Sequence, residues 1–187
     1  MRPDGEILDD ADLERVRSWK ARYNHNNMVP LHTSSGERAA FLARIEEADK
    51  AVDVWCGFLE ARSYQVGEFD ADMREVSVKK VHKLPDGYIA TGGRFVAFCE
   101  FKCVRPMNFG IGEEYYLGYR DIRRATQELL FILFYCPETA EMWACNIDDY
   151  KSTEVRTIPN GKLRRYAYFK HKIPPDALMT TLKALLI

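Results

Sequence analysis

Residues 83–105 read KLPDGYIATGGRFVAFCEFKCVR, and the fold turns on them. Pro85-Asp86-Gly87 is a turn signal, Tyr88-Ile89-Ala90 a short apolar run, and Gly92-Gly93 a second turn. A longer apolar run continues from Arg94 to about Val104. Two apolar runs joined by Gly-Gly predict a β-hairpin. Alternation along the second strand puts Phe95, Ala97, Cys99, Phe101 and Cys103 on one face. Val96, Phe98, Glu100, Lys102 and Val104 fall on the other. Apolar residues on both faces predict a central strand covered on both sides. Glu100 and Lys102 share one covered face, where a charge costs roughly several kcal/mol unless it is paired or coordinated.

Asp86 after Pro85, then thirteen residues, then Glu100-Phe101-Lys102, resembles the PD-(D/E)xK nuclease superfamily. That group includes many restriction enzymes, Holliday-junction resolvases and repair nucleases. The motif spans about twenty residues, and the element order extends the resemblance to roughly residues 37–187. It implies a restriction-endonuclease-like α/β fold, a mixed β-sheet flanked by helices. It also implies Mg²⁺-dependent hydrolysis of DNA phosphodiesters, with Mn²⁺ able to substitute, by an endonuclease that works as a homodimer. Asp86, Glu100 and Lys102 would be catalytic, with Asp86 and Glu100 on the metal. The chemistry suits these residue types. Mg²⁺ takes hard oxygen ligands, the bound metal polarises a phosphoryl oxygen and activates water, and a lysine offsets charge developing on phosphate. In several branches a helix before the motif adds an acidic residue. Asp53, set in AVDVWCGF, is the candidate third metal ligand, with Asp49 one turn earlier as the alternative and a solvated position as the plain reading. A non-catalytic nucleic-acid-binding or assembly module with a nuclease-like fold is the second functional reading. A simple turn followed by a same-face ion pair is the plain reading of the motif itself.

Composition sets bounds around this stretch. The chain has 187 residues and a formal net charge of −1, so it is no bulk nucleic-acid coat protein, although one basic groove is compatible with that charge. No apolar run approaches the ~18–20 residues of a membrane-spanning helix. The acidic start MRPDGEILDDADLERV lacks a secretory apolar core, so an intracellular, cytoplasmic protein is expected. The five cysteines, Cys56, Cys99, Cys103, Cys136 and Cys145, lack CxxC spacing and read as small core residues, not as a disulfide or zinc framework.

Residues 1–36 read as an N-terminal helical arm: a helix over 9–23, then a polar loop carrying His25 and His32. The main domain, 37–187, opens with a long helix capped at Ser34 or Ser35, its apolar stripe including Val52, Trp55, Cys56 and Leu59. A strand over 63–66, a loop with Asp70 and Asp72, and a strand over 75–81 lead to the hairpin. The loop 105–118 carries Phe109, Tyr115 and Tyr116, which either stack on bases or pack. Periodicity then predicts a helix over 114–135, with Ala125, Leu129, Ile132 and Leu133 as its stripe. Arg120, Arg124 and Gln127 share one face of that helix and are the candidate nucleic-acid contacts. A buried strand over 142–147 follows, then a hairpin around Pro159-Asn160-Gly161. Arg164, Arg165, Lys170, His171 and Lys172 form a second basic cluster interleaved with Tyr166 and Tyr168. A final helix opens at Pro174-Pro175 and packs through Leu178, Leu182 and Leu185.

Overall fold

The computed structural model describes residues 7–23, 35–69, 84–106, 109–158 and 161–186. The expected strand over 75–81, the acidic pair Asp70 and Asp72, and the loop histidines His25 and His32 lie outside these residues. Along the chain run α1 (Asp10–Tyr23), α2 (Ser35–Glu60), β1 (Gln65–Glu68), β2 (Gly87–Thr91), β3 (Arg94–Cys103) and β4 (Gly110–Gly112). They are followed by α3 (Glu113–Thr126), β5 (Leu130–Cys136), β6 (Glu141–Asn146), β7 (Tyr150–Thr157), β8 (Leu163–Phe169) and α4 (Pro175–Ala184).

The expected hairpin is β2–β3, turning through Gly92 and Gly93 at φ +57° and +81°, a region side-chain-bearing residues avoid. It sits inside a five-stranded sheet of order β1-β2-β3-β5-β6. Only the β3–β5 pair is parallel, so the sheet is mixed. One face is covered by α2 and α4, through Trp55, Leu59, Leu178 and Leu182 against Ala97, Cys99 and Phe101. The other face is covered by α1 and α3, through Val16, Tyr119 and Ile122 against Phe98, Ile132 and Phe134. This is the α/β arrangement expected, a mixed sheet flanked by helices. A second sheet, β4-β8-β7, extends it.

Two features differ from the sequence reading. The helix predicted over 114–135 ends at Thr126, and Leu130–Cys136 is a fully interior strand. An unbroken apolar run satisfies helical and strand spacing alike, so periodicity alone cannot separate them. Gln127, at φ +62°, stops the helix and releases the chain to β5.

The alternation along β3 is broken near its start. Ala90 pairs with Phe95 but Ile89 pairs with Ala97, so Val96 is an extra residue in a bulge. Phe95 therefore joins the face of Phe98, while Val96 joins that of Ala97. The Phe95 N–H donates to Asp12 Oδ2 at 2.6 Å, a partner outside the strand ladder.

That bond also shows that the N-terminal helix is docked on the sheet. Asp9 N–H donates to the Gly93 carbonyl (2.7 Å), Val16 is fully buried, and the Trp19 ring lies 5.0–5.1 Å from Phe95 and Phe98.

Candidate active site

The hairpin positions three side chains of the motif together. Glu100 and Lys102 project from the C-terminal half of β3, on the face covered by α3. Asp86 stands at the entry to β2, and Gly87 is in register with Cys99. The Asp86 N–H donates to Glu100 Oε2 at 2.9 Å, and the Phe101 N–H donates to Asp86 Oδ2 at 3.0 Å. This reciprocal pair fixes both carboxyl groups at one end of the sheet. Lys102 Nζ forms an ion pair with Glu100 Oε1.

Glu100 is 2 % exposed, the one buried charged residue among those described. Burial pushes its carboxyl up to about 7, the charge of Asp86 adds to the rise, and Lys102 and the Tyr119 hydroxyl counter it. Burial alone would lower Lys102, but the charges of Glu100 and Asp86 outweigh that and hold it above the ordinary lysine range. Tyr119, buried and hydrogen-bonded to Glu100, is raised by burial and then by both carboxylates. Its neighbour one helical turn back, Tyr115, is 44 % exposed, and Lys102 Nζ lies 5.6 Å from its ring centroid.

The donor set fits a divalent cation. Two carboxyl groups from neighbouring strands meet here, the charge of Asp86 raises Glu100, and a single lysine pairs directly with Glu100. Hard oxygen donors in a pair are what Mg²⁺ selects. Asp86 and Glu100 would hold it.

Other sequence candidates fall elsewhere. Asp53 is exposed on α2, whose buried residues Ala51, Trp55 and Leu59 pack on the opposite face of the sheet from Glu100. It does not join Asp86 and Glu100: among the described residues no three His, Cys, Asp or Glu side chains gather in a metal-ligating group. Asp49 lies on the same helix and has interactions of its own.

Gln127 donates from Nε2 to the Arg124 carbonyl (2.6 Å) and lines a cavity with Asp9, Asp12 and Arg94. That cavity is at the start of β3, about six residues and roughly 20 Å of strand from Glu100. Arg120 lies against Tyr116, its guanidinium 5.8 Å from that ring, and its Nε is buried without a hydrogen-bond partner. Arg124 is exposed on the same side. At 100° per residue, Arg120 is roughly a quarter-turn round the helix from Tyr119 and Arg124 about 140° from it, so Arg120 borders the site and Arg124 faces further outward.

Two residues at the site's edge carried no site role in the sequence reading, Tyr119 and Arg164, the latter read only as part of the second basic cluster. Tyr119 was readable only as the second member of an i, i+4 tyrosine pair that begins at Tyr115. Arg164 sits over the Tyr115 ring at 5.9 Å and pairs with Glu114, which brings β8 to the rim. Phe109 and Tyr116 are packed: Phe109 meets Phe134 edge-on and Tyr116 stacks on Tyr150.

No family model matches the sequence, and no curated protein does. Among solved structures, the chain is similar to Hjc of Archaeoglobus fulgidus, described as a Holliday junction resolvase from an archaeal hyperthermophile. The TM-score is 0.46 at 10 % identity, covering 66 % of this chain and 84 % of that one.

Proposed function

We propose that the protein is a metal-dependent endonuclease of the PD-(D/E)xK type that cuts DNA, with Asp86, Glu100 and Lys102 as its catalytic residues. The observation that supports this is the convergence of Asp86 and Glu100, each held by the backbone of the other's strand, with Lys102 on the same carboxylate. When bound, Mg²⁺ or Mn²⁺ polarises a phosphoryl oxygen and makes water a better nucleophile.

The chain's own residues do the rest. Asp86 and Glu100 supply the negative pocket. Lys102 stays protonated throughout the neutral range, so it acts as a donor and positive charge toward the attacked phosphate, not as a general base. Tyr119 fixes the Glu100 rotamer from beneath. Arg120 and Arg124 hold the flanking phosphate backbone, and a homodimer would present two sites to two strands.

The second reading, a nucleic-acid-binding module without catalysis, draws on the saturation of Glu100: backbone, lysine and tyrosine already occupy its oxygens.

Incubating the protein with plasmid, linear duplex, single-stranded and four-way-junction DNA, and with RNA, in Mg²⁺ or Mn²⁺ separates the two. Cleavage of a DNA form that stops with EDTA supports the nuclease, and the form that is cut sorts restriction, junction-resolving and end-degrading activities. Binding across that panel with no cleavage supports the module.

A further inference from the structure

The second sheet bears a concave site that the catalytic triad does not use. A cavity of about 250 Å³ opens between β7, β8 and Phe109, the residue before β4. Tyr168 is its half-buried ring, the buried Phe109 and Phe169 complete the aromatic lining, and Lys151, Arg156 and Lys172 supply three cations. Its one carboxylate, Glu154, is already paired with Arg156 at 3.3 Å. The cations and rings interleave: Lys172 Nζ is 3.6 Å from the Phe109 centroid, and the Arg156 guanidinium is 4.8 Å from that of Tyr168. Gly110 admits the Tyr168 ring, since a Cβ there would stand 2.7 Å from its Cε1.

Aromatic surface set among cations is the chemistry that holds unpaired nucleotides, through stacking and phosphate neutralisation together. The volume is below the roughly 300–1,000 Å³ of pockets that enclose a whole small molecule. It suits one unit of a longer chain.

The position points to the same ligand. Lys102 is in register with Phe134, and Phe134 with Trp143, across one face of the main sheet. Phe109 packs on Phe134, and Lys172 is 5.8 Å from the Trp143 ring. The cavity therefore lies about two strand spacings, on the order of 10 Å, from Lys102.

We infer that this cavity holds one unstacked nucleotide of a single-stranded segment beside the bond that is cut. The location of the cut bond rests on the nuclease reading; the binding itself does not. The test is fluorescence anisotropy of a fluorescein-labelled oligothymidylate with the full-length protein in EDTA, with a blunt hairpin duplex as comparator. Lys151→Gln with Lys172→Gln should weaken oligothymidylate binding about tenfold or more, and its log–log salt slope should drop by about 1.4. Tyr168→Leu should weaken it about fivefold or more with the slope unchanged. Duplex binding should stay within about twofold in every variant. Should Tyr168→Leu not fold, the lysine pair at the exposed rim carries the test alone. Failure of the wild type to bind oligothymidylate, or equal binding by the lysine variant, overturns the inference. Normal oligothymidylate binding by the wild type, with no cleavage of any DNA form of the panel above in Mg²⁺ or Mn²⁺, leaves the cavity standing and overturns the nuclease reading instead.

Discussion

Replacing Lys102 by Met removes the one cation paired with a buried carboxylate while keeping most of the side chain's volume. In the wild type, the Glu100 carboxyl is moved from 4.5 to about 7 by burial and by Asp86. A carboxyl raised on folding binds its proton more tightly in the folded state. Its contribution to stability is therefore full below 4.5, declines as pH rises, and is lost once pH passes about 7. That loss amounts to about 3 kcal/mol, at about 1.4 kcal/mol per pH unit. Without Lys102, nothing but Tyr119 and a backbone N–H counters desolvation, so Glu100 holds its proton to higher pH and the decline continues past 8.

The difference between wild type and Lys102→Met should thus grow from about 1 kcal/mol at pH 5, where Glu100 is neutral in both, toward about 3–5 kcal/mol at pH 9, the cost of stranding a buried charge. Urea unfolding followed by circular dichroism across pH 5–9 measures it. In a Glu100→Gln background the same substitution should give an increment independent of pH. An equal destabilisation at pH 5 and pH 9 in the wild-type background would refute the coupling between Lys102 and Glu100.

Two further outcomes follow from the packing and the charge pattern. Gly67→Ala would place a Cβ 2.1–2.5 Å from the fully buried Tyr88 ring, so it should destabilise by about 1–3 kcal/mol or more, read from urea midpoints. Arg120→Ala with Arg124→Ala should lower DNA affinity and reduce the salt slope by about 2 while leaving turnover at saturating substrate nearly intact; an unchanged slope puts both arginines on a solvated face.

The hairpin, and the gathering of Asp86, Glu100 and Lys102 at its end, were legible because local chemistry specifies them. A proline-aspartate turn, a Gly-Gly turn and an alternating strand leave few alternatives for Asp86, Glu100 and Lys102. Strand β5 was not legible, because a run such as Leu130–Cys136, apolar at every position, fits either period until its neighbours are known. The bulge at Val96 was hidden for a different reason: it is held by Asp12, a residue 83 positions from Phe95. Asp53 drew attention as a third ligand because its sequence neighbours are apolar, but it takes the solvated position of the plain reading: on a helix those neighbours spread round the axis and leave one direction to solvent. Tyr119 gave no signal of its own, since a buried tyrosine hydroxyl gains meaning only from the carboxylate it meets.

The central claim, that the Asp86, Glu100 and Lys102 cluster cuts DNA with the help of a divalent metal, is tested most directly by nicking of supercoiled plasmid. The wild type should convert the plasmid in Mg²⁺ or Mn²⁺ and stop in EDTA, with Ca²⁺ supporting binding but little cleavage. Lys102→Ala should bind DNA as the wild type does and cut far more slowly, because the lysine acts on the transition state and not on the ground-state complex. Cleavage by Lys102→Ala at the wild-type rate, or none by the wild type in either metal, would contradict the account.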